Sequence, residues 1–232
     1  MKLALIGHGA MGQLVENLAR VAGDEIGATL TSQDSTRSND ELAALLRGHD
    51  VAIDFSVGSA VVAHVEACMS AGVPLVQGTT AWKDHETDAR RIVGEHDGAM
   101  VYGANFSIGV NVFYRIVEQA AQCFAGLNQY EAFIEEEHHS RKLDAPSGTA
   151  LKLKAVMTEH NKGPVSIAST RAGHIPGTHR VGFDSAADQI TLTHLARSRE
   201  GFAAGALLAA RWIVGRKGVF EFSEVIDEIL RK

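Results

Sequence analysis

The stretch KLALIGHGAMGQLVENLARV, Lys2 to Val21, decides how the rest of the chain is read. Lys2 to Ile6 form a short apolar run, as expected of a strand buried on both faces. Leu14, Val15, Leu18 and Val21 then recur at helical spacing. Between them stand Gly7, Gly9 and Gly12 in the pattern G-x-G-x-x-G. Glycines alone say little, but here they follow a strand and open a helix, as dinucleotide binding requires. The first permits a tight turn, the second lets backbone approach a pyrophosphate, and the third lets helix pack on strand. The helix start adds unpaired N–H groups and the positive end of its dipole.

Outward from this unit the pattern repeats. EIGATL (25–30), DVAIDFS (50–56), PLVQGTT (74–80) and AMVYGAN (99–105) read as four further strands. Helical patterns at 60–71 and 82–94 separate the last three. Apolar strands alternating with helices predict a Rossmann-type, doubly wound parallel sheet, with ligands beyond the carboxyl ends of the strands. After Asn105 the rhythm changes. A long helix (109–125) leads to YEAFIEEEHH, a helix after Pro146, and three strand-like stretches, VSIASTR, HRVGFDS and QITLTHLA. Strands without crossover helices predict an α+β domain with a mixed or antiparallel open sheet. The helical tail is expected to rejoin the first domain. The expected division is 1–105 with about 206–232 for dinucleotide binding, and 106–205 for substrate binding and oligomerisation.

Composition excludes several classes. The 232 residues, 45% hydrophobic and 22% charged, suit a globular protein with a real core. A net charge of −6 argues against a nucleic-acid partner. Cys68 and Cys123 form no CxxC, which disfavours a disulfide framework or structural zinc and fits a reducing compartment. There is no signal-peptide pattern and no run near the roughly 20 apolar residues of a membrane span. The expectation is a soluble, cytoplasmic protein without a membrane partner.

The second strand ends at Thr31 and Ser32, where NAD-preferring sites usually carry a carboxylate. Asp34 and Arg37 follow in a polar loop, so NADH and NADPH both stay admissible. Gly78, Thr79, Thr80, Asn105 and Phe106 fall at strand ends that line the crevice in this topology; either threonine is equally well read as a helix cap.

The densest chemistry is EEEHHSRKLDAPSGTA, Glu135 to Ala150. Ser147, Gly148 and Thr149 open a helix whose free N–H groups and hydroxyls suit a carboxylate, with Lys142 as a nearby cation. His138 and His139 titrate near neutrality, and adjacent residues of an extended chain point to opposite faces, so one imidazole is expected to work on substrate. A metal site joining His138 or His139 to His174 and His179 lacks the usual spacing, so no metal is expected. A serine hydrolase at Ser147 lacks the nucleophile elbow.

This stretch closely resembles the signature E-x-H-H-x-x-K-x-D-A-P-S-G-T of the dihydrodipicolinate reductase (4-hydroxy-tetrahydrodipicolinate reductase) family. IGHGAMG, VAIDFS, GTT, ANFSIGVNV and ITLTHLARSREGFAAGAL follow the family's order across nearly the whole chain. The resemblance implies NADH- or NADPH-dependent reduction of a cyclic dicarboxylate, 4-hydroxy-tetrahydrodipicolinate, to tetrahydrodipicolinate and water, in diaminopimelate and lysine biosynthesis. It implies a homotetramer joined through the substrate domain's sheet. By motif position His138 is the proton donor or acceptor, Lys142 binds substrate and delivers a proton, His139 contacts substrate, and Gly148 and Thr149 hold a carboxylate. Gly7, His8, Gly9, Ala10, Met11 and Gly12, then Gly78 to Thr80 and Ala104 to Phe106, fall on cofactor motifs; Arg199 matches a family arginine of unassigned role. Three departures stand out: a glycine loop one residue shorter than the commonest version, Thr31 in place of an acidic residue, and a trimmed loop around Lys162. A different nicotinamide-dependent oxidoreductase and a non-catalytic dinucleotide sensor are the rival readings; the complete His-His-Lys and Ser-Gly-Thr set argues against the second.

Overall fold

Strand β1 (Lys2–Ile6) places Leu3, Ala4, Leu5 and Ile6 in the core, as its unbroken apolar sequence requires. In this computed structural model, which describes residues 1–161 and 163–231, the chain divides into two compact units. Lys162, at the shortened loop, lies outside the described residues.

The first unit comprises Met1–Ile108 and Glu200–Lys232. After β1 come helix α1 (Ala10–Val21), β2 (Glu25–Leu30), α2 (Asn39–Leu46), β3 (Val51–Asp54), α3 (Val61–Ala71), β4 (Leu75–Gln77), α4 (Glu86–Glu95) and β5 (Ala99–Tyr102). Helix α7 (Glu200–Ile213), strand β10 (Gly218–Glu221) and helix α8 (Phe222–Leu230) complete it. The six strands lie parallel in the order β10-β5-β4-β3-β1-β2. The order reverses between β1 and β3, which makes their carboxyl ends the switch point where a doubly wound sheet opens a crevice.

Two elements had no counterpart in the sequence reading. Helix α2 does carry a signal: Ser38 and Glu41 cap it reciprocally, ahead of buried Leu42, Ala43 and Leu46. Strand β10 is a four-residue edge strand, too short for periodicity to show. Helix α1 is rotated from its expected face. It buries Gly12, Val15 and Ala19, while Val21 is 87% exposed. Small residues win because α1 packs closely on the sheet and on α7, itself rich in buried alanine.

The second unit is Gly109–Arg199. Helix α5 (Ile108–Phe124) leads into β6 (Glu131–His138), α6 (Gly148–His160), β7 (Ser166–Arg171), β8 (Thr178–Asp184) and β9 (Gln189–Leu195). Its sheet runs β7-β6-β8-β9, with β6 and β7 parallel and the other pairs antiparallel, so it is mixed. Phe113, Tyr114 and Val117 of α5, with Ala150, Leu153 and Met157 of α6, cover Ala132, Ile134, Val181 and Phe183. Among the described residues no helix is long and apolar enough to cross a membrane.

Gly205 shows how tightly α7 is seated, since a Cβ there would lie 1.7 Å from the Phe106 carbonyl oxygen. Gly205→Ala is expected to destabilise the protein by about 1–3 kcal/mol, the usual cost of overpacking, read as a lower unfolding midpoint.

Candidate functional site

In the first unit the glycine loop is built from contacts that only glycine allows. Gly7 has φ +87°, and a Cβ on it would lie 2.5 Å from the Phe55 carbonyl; a Cβ on Gly12 would meet the Gly7 carbonyl at 2.1 Å. Gly9 instead faces open space and caps α1 without a side-chain hydrogen bond, which leaves the helix's first N–H groups available. This cradle fits a pyrophosphate. His8 is held to the helix, its Nε2 2.6 Å from Glu16 Oε2.

A cavity of about 420 Å³ opens beside the loop. Its wall includes Gly9, Ala10 and Met11 from the loop, Gly78, Thr79 and Thr80 after β4, and Ala104, Asn105 and Phe106 after β5. Phe55, Ser56, Gly103 and Phe202 also line it, although the sequence reading did not single them out. Thr31 and Ser32 are not among its lining residues. They belong to a tight turn in which Asp34 Oδ2 accepts from the Thr31 N–H and Oδ1 is paired with Arg37 at 2.7 Å. Asp34 therefore faces back into its own turn.

Asp54, fully buried at the end of β3, organises the strand ends. Its Oδ1 accepts from the Ser56 N–H at 2.8 Å and the Thr79 hydroxyl at 3.0 Å. Its Oδ2 lies 2.9 Å from His64 Nδ1 and accepts from Gln77 Nε2 at 3.1 Å. The Thr79 hydroxyl also accepts from the Ser56 N–H, so it is committed to the scaffold; Thr80 is the exposed member of the pair. Asn105 Oδ1 accepts from the Ser107 N–H at 2.8 Å. Phe106 is buried against Phe222, with ring centres 4.7 Å apart.

In the second unit, β6 alternates strictly. Ala132, Ile134, Glu136 and His138 share the buried face, so the face that holds the core at one end carries charge at the other. Register sets Glu136 opposite His179 of β8 and Ser169 of β7, and His138 opposite Arg171. Glu136 Oε1 accepts from Ser169 Oγ and Arg171 Nη2, each at 2.7 Å, and from the Ser147 N–H at 3.0 Å. Its Oε2 lies 3.1 Å from His138 Nδ1 and 3.7 Å from His179 Nε2. Burial pushes the Glu136 pKa up, but the bonds from Ser147, Arg171 and Ser169 outweigh it and bring it to about 2. Burial lowers both histidines, with Glu136 opposing; His179, beside His138, falls to about 4.

Ser147 caps α6 by accepting from the Ala150 N–H at 3.2 Å, and its hydroxyl lies 3.1 Å from His179 Nε2. At 2% exposure it is no nucleophile. Gly148 is exposed with open space at its α-carbon, so the start of α6 is approachable. Thr149 is half-buried and bonded to Tyr114. Lys142 pairs with Asp144 at 2.7 Å. His139 is half-buried, one residue past the end of β6; His174 and Arg199 are exposed. The metal grouping weighed from sequence is thus not the one assembled. Glu136, His138 and His179 instead bring donor atoms within 4.8 Å of one another. Arg171 is paired with Oε1 of that carboxylate at 2.7 Å, which offsets the charge a cation would otherwise meet there. Sequence reasoning missed Glu136, Arg171 and Asp54 as site-builders; the period-two alternation of β6 was the signal for the first.

Comparison with known proteins follows the same outline. The family described as "Dihydrodipicolinate reductase, N-terminus" matches residues 1–106, and "Dihydrodipicolinate reductase, C-terminus" matches 109–226. A 4-hydroxy-tetrahydrodipicolinate reductase of Christiangramia forsetii is 37% identical, with all of both chains covered. One from Ralstonia nicotianae is 32% identical over 97% of this chain and 99% of its own. A dipicolinate-bound dihydrodipicolinate reductase structure from Paenisporosarcina sp. TG-14 superposes with a TM-score of 0.77 at 20% identity, covering 95% of this chain and 97% of that one.

The depressed pKa values predict acid sensitivity. Below pH 6.5 the unfolded chain protonates His179 while the folded chain holds it neutral to about 4, so stability falls as pH drops through that window. Glu136 adds a further loss between 4.5 and about 2. The unfolding midpoint is expected to fall between pH 6.5 and 4, with a shallower slope in His179→Gln.

Proposed function

The chain belongs to the dihydrodipicolinate reductase family, and on that premise we propose that it reduces 4-hydroxy-tetrahydrodipicolinate to tetrahydrodipicolinate and water with NADH or NADPH. The observation that carries this reading is His138, buried on the core face of β6 beside the approachable start of α6. That arrangement sets a proton-transfer group next to a carboxylate cradle.

The nicotinamide supplies a hydride. The Gly7–Gly12 backbone and the first N–H groups of α1 hold the pyrophosphate, and Gly78–Thr80 with Ala104–Phe106 wall the cavity that receives the ring. Asp34 is engaged by Thr31 and Arg37 at the end of β2, which supports a site open to NADH or NADPH. In the second unit, Gly148 and Thr149 at the α6 N-terminus take one substrate carboxylate, with Lys142 as counter-charge and His139 as a further contact. His138 lies below its ordinary pKa because it is buried. A dicarboxylate brought beside it adds negative charge and raises that pKa, so substrate binding is coupled to proton uptake. His138 then passes the proton, and Lys142 is the second group able to do so.

Leu195 of β9 is 57% exposed, and an apolar side chain left outside on this sheet supports assembly as a homotetramer through it. Cys68 and Cys123 are both free thiols, which supports a reducing, cytoplasmic setting.

Oxidation of NADH and NADPH is to be followed spectrophotometrically with enzymatically generated substrate; turnover with both is expected, and turnover with neither would overturn the reading. His138→Ala should lower kcat by about 10²-fold or more, the size of a general acid–base contribution. Lys142→Ala should lose activity while NADPH binding, followed by fluorescence titration, survives.

A further inference from the structure

Among the described residues of the Gly109–Arg199 unit, Glu136 is the buried carboxylate, and the proton-transfer reading of His138 gives it no task. We infer that Glu136 is the positioning residue of this site, its Oε1 fixed by three donors so that its Oε2 holds His138 Nδ1 and leaves Nε2 to meet the ligand. The inference rests on the reductase reading above.

The two oxygens of Glu136 are treated differently. Oε1 takes Ser169 Oγ and Arg171 Nη2 from β7 and the Ser147 N–H from the α6 cap. Oε2 is buried and accepts no hydrogen bond, yet it lies 3.1 Å from His138 Nδ1, which is buried and unbonded as well. Two buried polar atoms left unsatisfied are costly, and at 3.1 Å these two are within reach of one another. Catalytic hydrogen bonds are commonly misaligned without ligand and tighten when it binds. A carboxylate only accepts, so Nδ1 must carry its hydrogen and Nε2 becomes the nitrogen that gains and loses a proton. A residue that merely glued β6 to β7 and α6 would need Oε1 alone. The free Oε2 aimed at His138 is what that role leaves unexplained.

The charged groups facing His138 are Glu136 on its own strand, Arg171 from β7, and Lys142 and Asp144 from the loop after β6; His179 faces it from β8. Glu136 and Asp144 favour the protonated ring, while Lys142 and Arg171 oppose it. Removing Glu136 or Arg171 must therefore move His138 in opposite directions, which general loosening of the fold would not do.

The test is an NMR titration of the His138 Cε1–H resonance in the full-length chain, assigned with His138→Ala, beside the pH profile of kcat. In Glu136→Gln the His138 pKa should fall by about one unit, the shift a close opposite charge supplies, and in Arg171→Gln it should rise. The alkaline limb of kcat should follow each shift, and kcat in Glu136→Gln should drop about tenfold or more while NADPH affinity is unchanged. Unchanged His138 titration in both variants, or shifts of the same sign, would overturn the assignment. Arg171→Gln keeps the carboxylate and carries the sign test alone should Glu136→Gln not fold. A wild-type chain that titrates as expected but does not turn over substrate would sink the proposed function and leave the positioning role standing.

Discussion

The second unit depends on one buried negative charge. Taking a carboxylate out of water is expensive unless it is fully hydrogen-bonded and paired. Glu136 offsets much of that cost through Oε1, which takes donors from the neighbouring strand and from the cap of α6 and pairs with Arg171. Satisfying the charge therefore fixes where β7 lies and where α6 begins. The start of α6 is tied to this carboxylate and the His138 imidazole lies beside it, so neither can drift without a cost in the core.

The first unit repeats the device with Asp54. Four groups converge on it, from the loops after β3 and β4, from Gln77 at the end of β4 and from α3. These loops form the wall of the cavity, so the wall's shape is held from behind by buried polar bonds rather than by the residues that face a ligand. Thr79 illustrates the division: its hydroxyl supports the wall while its position lines it.

What the sequence revealed was local. The glycine loop between strand and helix, the alternation of strands with helices, and the Ser-Gly-Thr start of α6 each sit within a few residues of one another, where spacing is a direct guide to geometry. Ser169, Arg171 and His179 lie tens of residues from Glu136 and meet it only through strand register, which no spacing rule reports. Glu136 still left a trace, because it occupies an inward position after Ala132 and Ile134. Read alone, the run of three glutamates had no assignable role. Helix α1 failed for another reason: its bulky residues suggested one face, while close packing selected the side bearing Gly12 and Ala19.

The register of β6 has a further consequence. A slip of one residue would exchange Glu136 for Glu135 or Glu137, and with it His138 for Glu137 or His139. The charged half of the strand is thus nearly indifferent to the slip that brings in Glu137 and His139, since glutamate would replace glutamate and histidine histidine. Discrimination comes from the other half, where Ala132 and Ile134 enter the core and the Phe133 ring fills the hollow over Gly182 on the opposite face. Which imidazole stands on the buried face of β6 is therefore decided several residues away, by hydrocarbon.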